Sequence, residues 1–237
     1  MKMKTILAVA ALTSSVFILS ACTSSESIDP INSASANEIV FTEAEVQSQV
    51  STVLKNYYTA SIKGSEELNS KVDTLGAEIE NIIGTDNMEM LNNSEDPFTD
   101  INKVPEDKLK ELADYYKSID PVSGYYDYSG MTDGEIVILC ITDVISSNYI
   151  AFSSLLDSTP EITIDSSQIV FASSTSAVAP FSSLTWANGS DDYSSYLYSG
   201  MDSLTLNYVD GAWKISGKQA YNSYMNTYLS VNANTSS

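Results

Sequence analysis

Asp210-Gly211 divides the run Ser203 to Ser216 into two arms of alternating polarity, and no other stretch leaves the backbone so little choice. A two-residue connection between such arms needs positive φ at its central residues, which Asp-Gly supplies with little strain. Counting outward from this turn sets Tyr208 opposite Trp213 and Leu206 opposite Ile215. Because side chains alternate with a period of two, these four large groups share one face, and that face is expected to be core. Other strands are expected from Pro160 onward. Ile162 with Ile164, Ile169 with Phe171, and Val178 to Trp186 form short runs separated by Ser-rich turns. Asn188 to Ser195 reads as a polar loop.

The first half of the chain has a different period. Thr42 and Glu45 make a capping box, after which Val46, Val50, Val53, Leu54, Tyr57 and Ile62 recur at spacings of three and four. Gly64 is expected to end this helix. A second is expected from about Glu66 to Ile83, with Leu68, Val72, Leu75, Ile79 and Ile82 on its stripe and Gly84 as its stop. Thr85 to Asn102 is acidic and Asn-rich, holds Pro97, and reads as loop. Pro105 opens a third helix lined by Leu109, Leu112, Ala113, Tyr116 and Ile119, with Pro121 just beyond it. Gly124 to Gly130 is a tyrosine-rich turn region, and Tyr221, Tyr224, Met225, Tyr228 and Leu229 give a last helix before a polar tail from Asn232. Helices first and an antiparallel sheet after them make the expected class α+β, one domain over 42–230 with a helical N-terminal half packed on the sheet.

Glu135 to Ile145 is apolar all round, so period does not type it. Its β-branched content favours a buried strand, while Thr132 with Glu135 offers a helix cap. Helix is favoured, because the chain runs on through Leu156 without a clear turn. Cys140 lies inside this run and is expected to be a buried, unreactive thiol.

The N-terminus carries an address. Met1-Lys2-Met3-Lys4 is positive, and Ile6 to Leu19 is mostly apolar, as in a secretory signal. As a helix those residues would span roughly 21 Å, short of the roughly 30 Å hydrocarbon core. Leu19-Ser20-Ala21-Cys22 resembles the bacterial lipobox, in which the cysteine sulfur is diacylated and the peptide before it removed. The resemblance implies cleavage between Ala21 and Cys22, lipid on Cys22, and attachment to the extracytoplasmic face of a cell membrane. Two acyl chains hold where one is marginal. Thr23 to Asn37 is Ser-rich and reads as a flexible tether, placing residues 22–41 between anchor and domain. About 18 residues of such chain reach roughly 24 Å, enough to clear the lipid head groups.

Charge excludes several partners. The full chain carries −20; losing residues 1–21 removes two lysines and no acid, leaving 9 lysines against 31 acids, or −22. There is no histidine and no arginine. Nucleic acid and anionic head groups are expected to be repelled within a Debye length of about 8 Å.

The closing hairpin, Leu-x-Leu-x-Tyr-Val-Asp-Gly-Ala-Trp-Lys-Ile-Ser, is similar to that of the nuclear-transport-factor-2-like family, in particular its secreted actinobacterial antigens with an Asp-Gly-x-Trp-Lys turn. Asp210, Gly211, Trp213 and Lys214 carry the likeness. It implies a cone-shaped sheet closed by helices around a cavity for a small apolar ligand. Tyr57, Tyr58, Trp186, Tyr208 and Trp213 are the candidate lining; plain core packing is the competing reading. Enzymes of the family often pair an Asp with a His or Tyr, and here the His half is missing.

Other chemistry lacks its parts. Asp191-Asp192 beside Asn188, and Glu95-Asp96 with Asp100, are oxygen-rich, but neither has EF-hand spacing, so solvated acidic loops are expected and no metal. No Gly-x-Ser-x-Gly, Gly-rich phosphate loop or arginine clamp is present, and no cofactor is indicated. A carboxylate-based hydrolase needs only two facing acids, which sequence distance does not forbid. The expectation is a non-enzymatic, lipid-anchored envelope protein that meets an envelope partner, with a small apolar ligand as the alternative.

Overall fold

Thr42 starts the described fold as its pattern requires. Its Oγ1 accepts from the Glu45 amide at 3.3 Å, and Glu45 Oε2 accepts from the Thr42 amide at 2.8 Å. The structure, a computed structural model, describes residues 41–151, 161–187 and 203–235, with backbone alone at 62–73, 144–151, 161, 186–187 and 227–235. The expected tether, Cys22, Asn188 to Ser195 and 152–156 therefore lie outside the described residues.

Helix α1 runs Glu43–Ile83, a single 41-residue element, and the expected break at Gly64 does not occur. A glycine inside a helix costs only about 1 kcal/mol relative to alanine, which good helix formers on either side offset. Gly84 does stop it, with φ of 86° and its amide bonded to Glu80 O at 2.8 Å. The expected loop after it is instead helical in large part: α2 (Thr85–Asn92), α3 (Pro97–Asp100) and a 3-10 turn, Ile101–Lys103. Apolar residues three apart, Met88 with Leu91 and Phe98 with Ile101, are buried there, and packing outweighs the polar composition. Helix α4 (Glu106–Ile119) buries Leu109, Leu112, Ala113 and Tyr116 as its stripe demands. The tyrosine-rich turn then supplies strand β1 (Tyr126–Asp127).

The run of ambiguous period is helix α5, Asp133–Ala151. The Thr132 and Glu135 cap forms: the Glu135 amide donates to Thr132 Oγ1 at 3.3 Å, and the Thr132 amide to Glu135 Oε2 at 3.1 Å. Its burial around much of its circumference explains the missing period. Strands β2 (Glu161–Ile164), β3 (Val170–Ser173), β4 (Ser176–Pro180), β5 (Leu184–Ala187), β6 (Ser203–Val209) and β7 (Ala212–Ser216) follow. The expected strand Val178 to Trp186 is two, divided by a 3-10 turn at Phe181–Ser183. One sheet has the order β1-β7-β6-β4-β3, antiparallel except where β1 joins β7 in parallel; β2 and β5 pair by themselves. Helix α6 (Gly217–Thr235) begins directly after β7, continuing past Asn232 where a tail was expected.

The closing hairpin has the expected register, Tyr208 opposite Trp213 and Leu206 opposite Ile215. Asp210 and Gly211 take φ of 51° and 83°, the positive values the turn needs. Leu206, Ile215 and Trp213 are buried and Tyr208 half-buried.

The class is α+β, and its apolar interior has two parts. In one, Val46, Val50, Leu54, Tyr57 and Tyr58 of the first half of α1 meet the sheet through Leu204, Leu206, Trp213 and Ile215. In the other, Leu75, Ile79 and Ile83 from the far end of α1 meet α2 to α5. Tyr128 and Met131 pack against both. That seam holds the polar groups that matter below.

Candidate functional site, a buried carboxyl and tyrosine cluster

Asp120 follows the last turn of α4, where its amide closes the helix on Tyr116 O at 2.8 Å. Its side chain cannot point to water, because the turn through Pro121 folds it back: Oδ1 accepts from the Val122 amide at 3.0 Å. Asp143 arrives from the opposite side on α5, one turn after Cys140. Tyr126 and Tyr128 enter from β1 and the turn after it, and Tyr57 from α1. Three stretches of the chain, around 57, 120–128 and 140–143, thus place two carboxyls, three phenols and a thiol at the seam.

The hydrogen bonds form a directed chain. Tyr126 donates to Asp143 Oδ1 at 3.3 Å, so its single proton is committed. The contact between the Tyr57 and Tyr126 hydroxyls, 2.9 Å, is then made by Tyr57 donating to Tyr126. The Tyr128 hydroxyl lies 3.0 Å from Ser123 Oγ and 3.9 Å from Cys140 Sγ. Asp120 Oδ2 and Asp143 Oδ2 are both buried without a hydrogen-bond partner among the described residues. Asp143 as a whole residue is half-buried, yet that oxygen is sealed.

Burial acts on Asp120, Asp143, Cys140, Tyr126 and Tyr128 in the same direction, toward the neutral form. It pushes Asp120 up to about 7, against the Val122 amide and the Cys140 thiol, which favour its charged form. Burial, then the charge of Asp120, raises Asp143 well above the carboxylate range. Burial raises the Cys140 thiol, and Asp120 and Asp143 add to the effect. Tyr126 and Tyr128 are raised too, chiefly by burial. Cys140 is therefore held as a thiol, as its apolar surroundings in the sequence imply, and is unsuited to attack an electrophile. The cluster can hold and pass a proton; it has no activated nucleophile.

The aromatic residues expected to line a cavity fall into two ring groups. Tyr57 stacks edge-on with Tyr58, Tyr125 and Tyr126 at 5.0 to 6.0 Å. Trp213 and Tyr208 are 5.6 Å apart and share Phe41, while the indole N–H donates to Gln49 Oε1 at 3.0 Å. Gln49 and Tyr57 are eight residues apart on one helix, which separates the groups by about 12 Å. Trp186 pairs through its backbone with Ile162, and its side chain lies outside the described residues.

Of the acids at 95–100, Asp96 and Asp100 are committed internally. Asp96 caps α3 through the Thr99 amide and hydroxyl at 3.2 and 2.6 Å. Asp100 accepts from Ser94 Oγ at 2.8 Å and pairs with Lys103 at 2.6 Å. Asn188, Asp191 and Asp192 lie outside the described residues, as do Ala21 and Cys22. Among the described residues no group of three or more His, Cys, Asp or Glu is placed to hold a metal ion.

Sequence reasoning singled out Tyr57 and Cys140 but missed Asp120, Tyr126, Tyr128 and Asp143. Asp143 carried a signal, an acid inside the apolar run Ile136 to Ile145. Comparison of the chain with known protein families, with curated proteins and with solved structures gives no match.

Proposed function

We propose that this chain is a lipid-anchored extracytoplasmic protein of the bacterial envelope, whose acidic α+β domain works by interaction and not by catalysis. The observation that carries the reading is Leu19-Ser20-Ala21-Cys22 at the close of a short apolar segment behind a positive start. Spacing supports it: about 20 Ser-rich residues separate Cys22 from the capped start of α1 at Thr42, a length suited to a tether. Among the described residues no helix is long and apolar enough to cross a membrane, and a lipid on Cys22 would serve as the attachment. Burial drives the Cys140 thiol toward its neutral form, so it is not an activated nucleophile, which fits a non-catalytic role. Growth of a bacterial host expressing the chain with a labelled fatty acid provides the test. Label on the membrane-bound protein, absent from Cys22→Ser together with membrane attachment, is expected. Lipid label persisting in Cys22→Ser would overturn the anchor.

A further inference from the structure

Two carboxylate oxygens, Asp120 Oδ2 and Asp143 Oδ2, are buried in one seam with no hydrogen-bond partner among the described residues, and Asp120 is only 6% exposed. Each carboxyl accepts through its other oxygen, Asp120 from the Val122 amide and Asp143 from Tyr126, but burial still favours the neutral acid, and two like charges in one site oppose each other. Among the described residues, the groups around the pair supply no compensating charge. From the β1 segment come the Tyr126 and Tyr128 phenols and from α5 the Cys140 thiol, with the Tyr57 phenol of α1 behind Tyr126 and the Tyr116 phenol of α4 behind Cys140. Two cations lie near and are directed elsewhere. Lys117 sits 5.8 Å from the Tyr128 ring centre and pairs with Asp114 at 2.8 Å, and Lys214 of β7 donates to Gly124 O at 2.5 Å.

We propose that Asp120 and Asp143 form a buried proton-binding site, occupied in the folded chain on the acid side of neutrality, whose emptying loosens the seam between the two parts of the core. Protonation removes the charge of each carboxyl, and a neutral acid costs far less to bury than a carboxylate. Losing the proton leaves a charge where α4, β1 and α5 meet. This holds wherever the chain resides, so it stands or falls separately from the lipid anchor.

The sign follows from linkage. The folded pair binds protons more tightly than an unfolded aspartate, whose ordinary value is 3.8, and Asp120 reaches about 7. Its stabilising effect is complete below the ordinary range and is lost as pH rises through about 7. With no histidine in the chain, the pair has almost no competitor between pH 6 and 8. The terminal amine titrates near there but belongs to a residue ahead of the fold.

Equilibrium unfolding of the full-length protein in detergent, from pH 5.5 to 8.5, is the test. The folding constant is expected to fall up to about tenfold per pH unit for each proton released, and Asp120→Asn and Asp143→Asn are expected to flatten the slope. A flat profile in the unmodified protein, or an unchanged slope in both variants, would overturn the proposal. Should the variants not fold, carbon-13 spectra of aspartate carboxyls in the unmodified protein decide. At least one midpoint above pH 6 is expected, and midpoints all below about 5, the ordinary range, would refute the site.

Discussion

The hydroxyls of Tyr57 and Tyr126 lie 2.9 Å apart in the core, joining the long first helix to the first strand across 69 residues of chain. Their positions are not equivalent, because Tyr126 also donates to Asp143. Tyr57→Phe removes one buried hydrogen bond and is expected to cost about 1 kcal/mol. Tyr126→Phe removes that bond and the donor to Asp143 together, with an expected cost of about 2 to 3 kcal/mol. Urea unfolding of both variants and of the double variant checks the order. Equal costs, or full additivity in the double variant, would mean that the three groups do not act as a chain.

The closing hairpin makes a sharper demand on the backbone. Gly211 has φ of 83° with open space around its Cα, so a side chain there meets no neighbour and pays only the backbone cost. For a non-glycine residue that cost is about 1 to 2 kcal/mol, and β-branching adds to it. Gly211→Val is therefore expected to lower Tm by about 3 to 8 °C. Gly124→Ala is the control, since it too has open space but no positive φ, and it is expected to leave Tm nearly unchanged. A Gly211→Val protein as stable as the control would remove the turn from the determinants of the fold.

That hairpin was legible because two residues fix its turn, and the turn fixes the register of the four large side chains beside it. The cap of α1 and the helix after Pro105 were legible for a similar reason: a few local hydrogen bonds or one ring decide the geometry. Gly64 misled because a stop signal needs the chain to leave the helix, and nothing local obliges it to. The helices between Thr85 and Asp100 were hidden because short segments depend on tertiary burial of Met88, Leu91 and Phe98, not on local preference. The cluster at the seam was hidden for a different reason. Asp120, Tyr126 and Tyr128 are ordinary turn residues until α1 and α5 close over them, and only Asp143 was out of place in its own stretch of sequence.

Cys140 offers a probe of that closure. Its side chain is fully buried and its thiol is driven toward the neutral form, so two separate barriers oppose reaction. In the Cys22→Ser protein, which leaves this thiol alone, labelling by an aromatic disulfide is expected to be at least a hundredfold slower than that of the unfolded chain. Its rate should rise with denaturant in step with unfolding. Rapid labelling of the native protein at pH 7 would show that α5 opens well before the rest of the fold.

Glu135 has two tasks, and they are separable by salt. One oxygen accepts from the Thr132 amide to cap α5, while both reach Lys218 Nζ at 2.5 and 2.6 Å, tying the start of α5 to the first turn of α6. Glu135→Gln keeps an oxygen for the cap and loses the charge. Because the Lys218 side chain is 40% exposed and so reaches solvent, that change is expected to cost about 1 kcal/mol and to shrink in about 1 M salt, where the Debye length is about 3 Å. Glu135→Ala loses the cap as well, adding about 1 kcal/mol that salt does not screen. Unfolding in low and high salt separates the two. A Gln variant as destabilised as the Ala variant in high salt would mean that α5 depends on the ion pair, and that the cap adds little to its start.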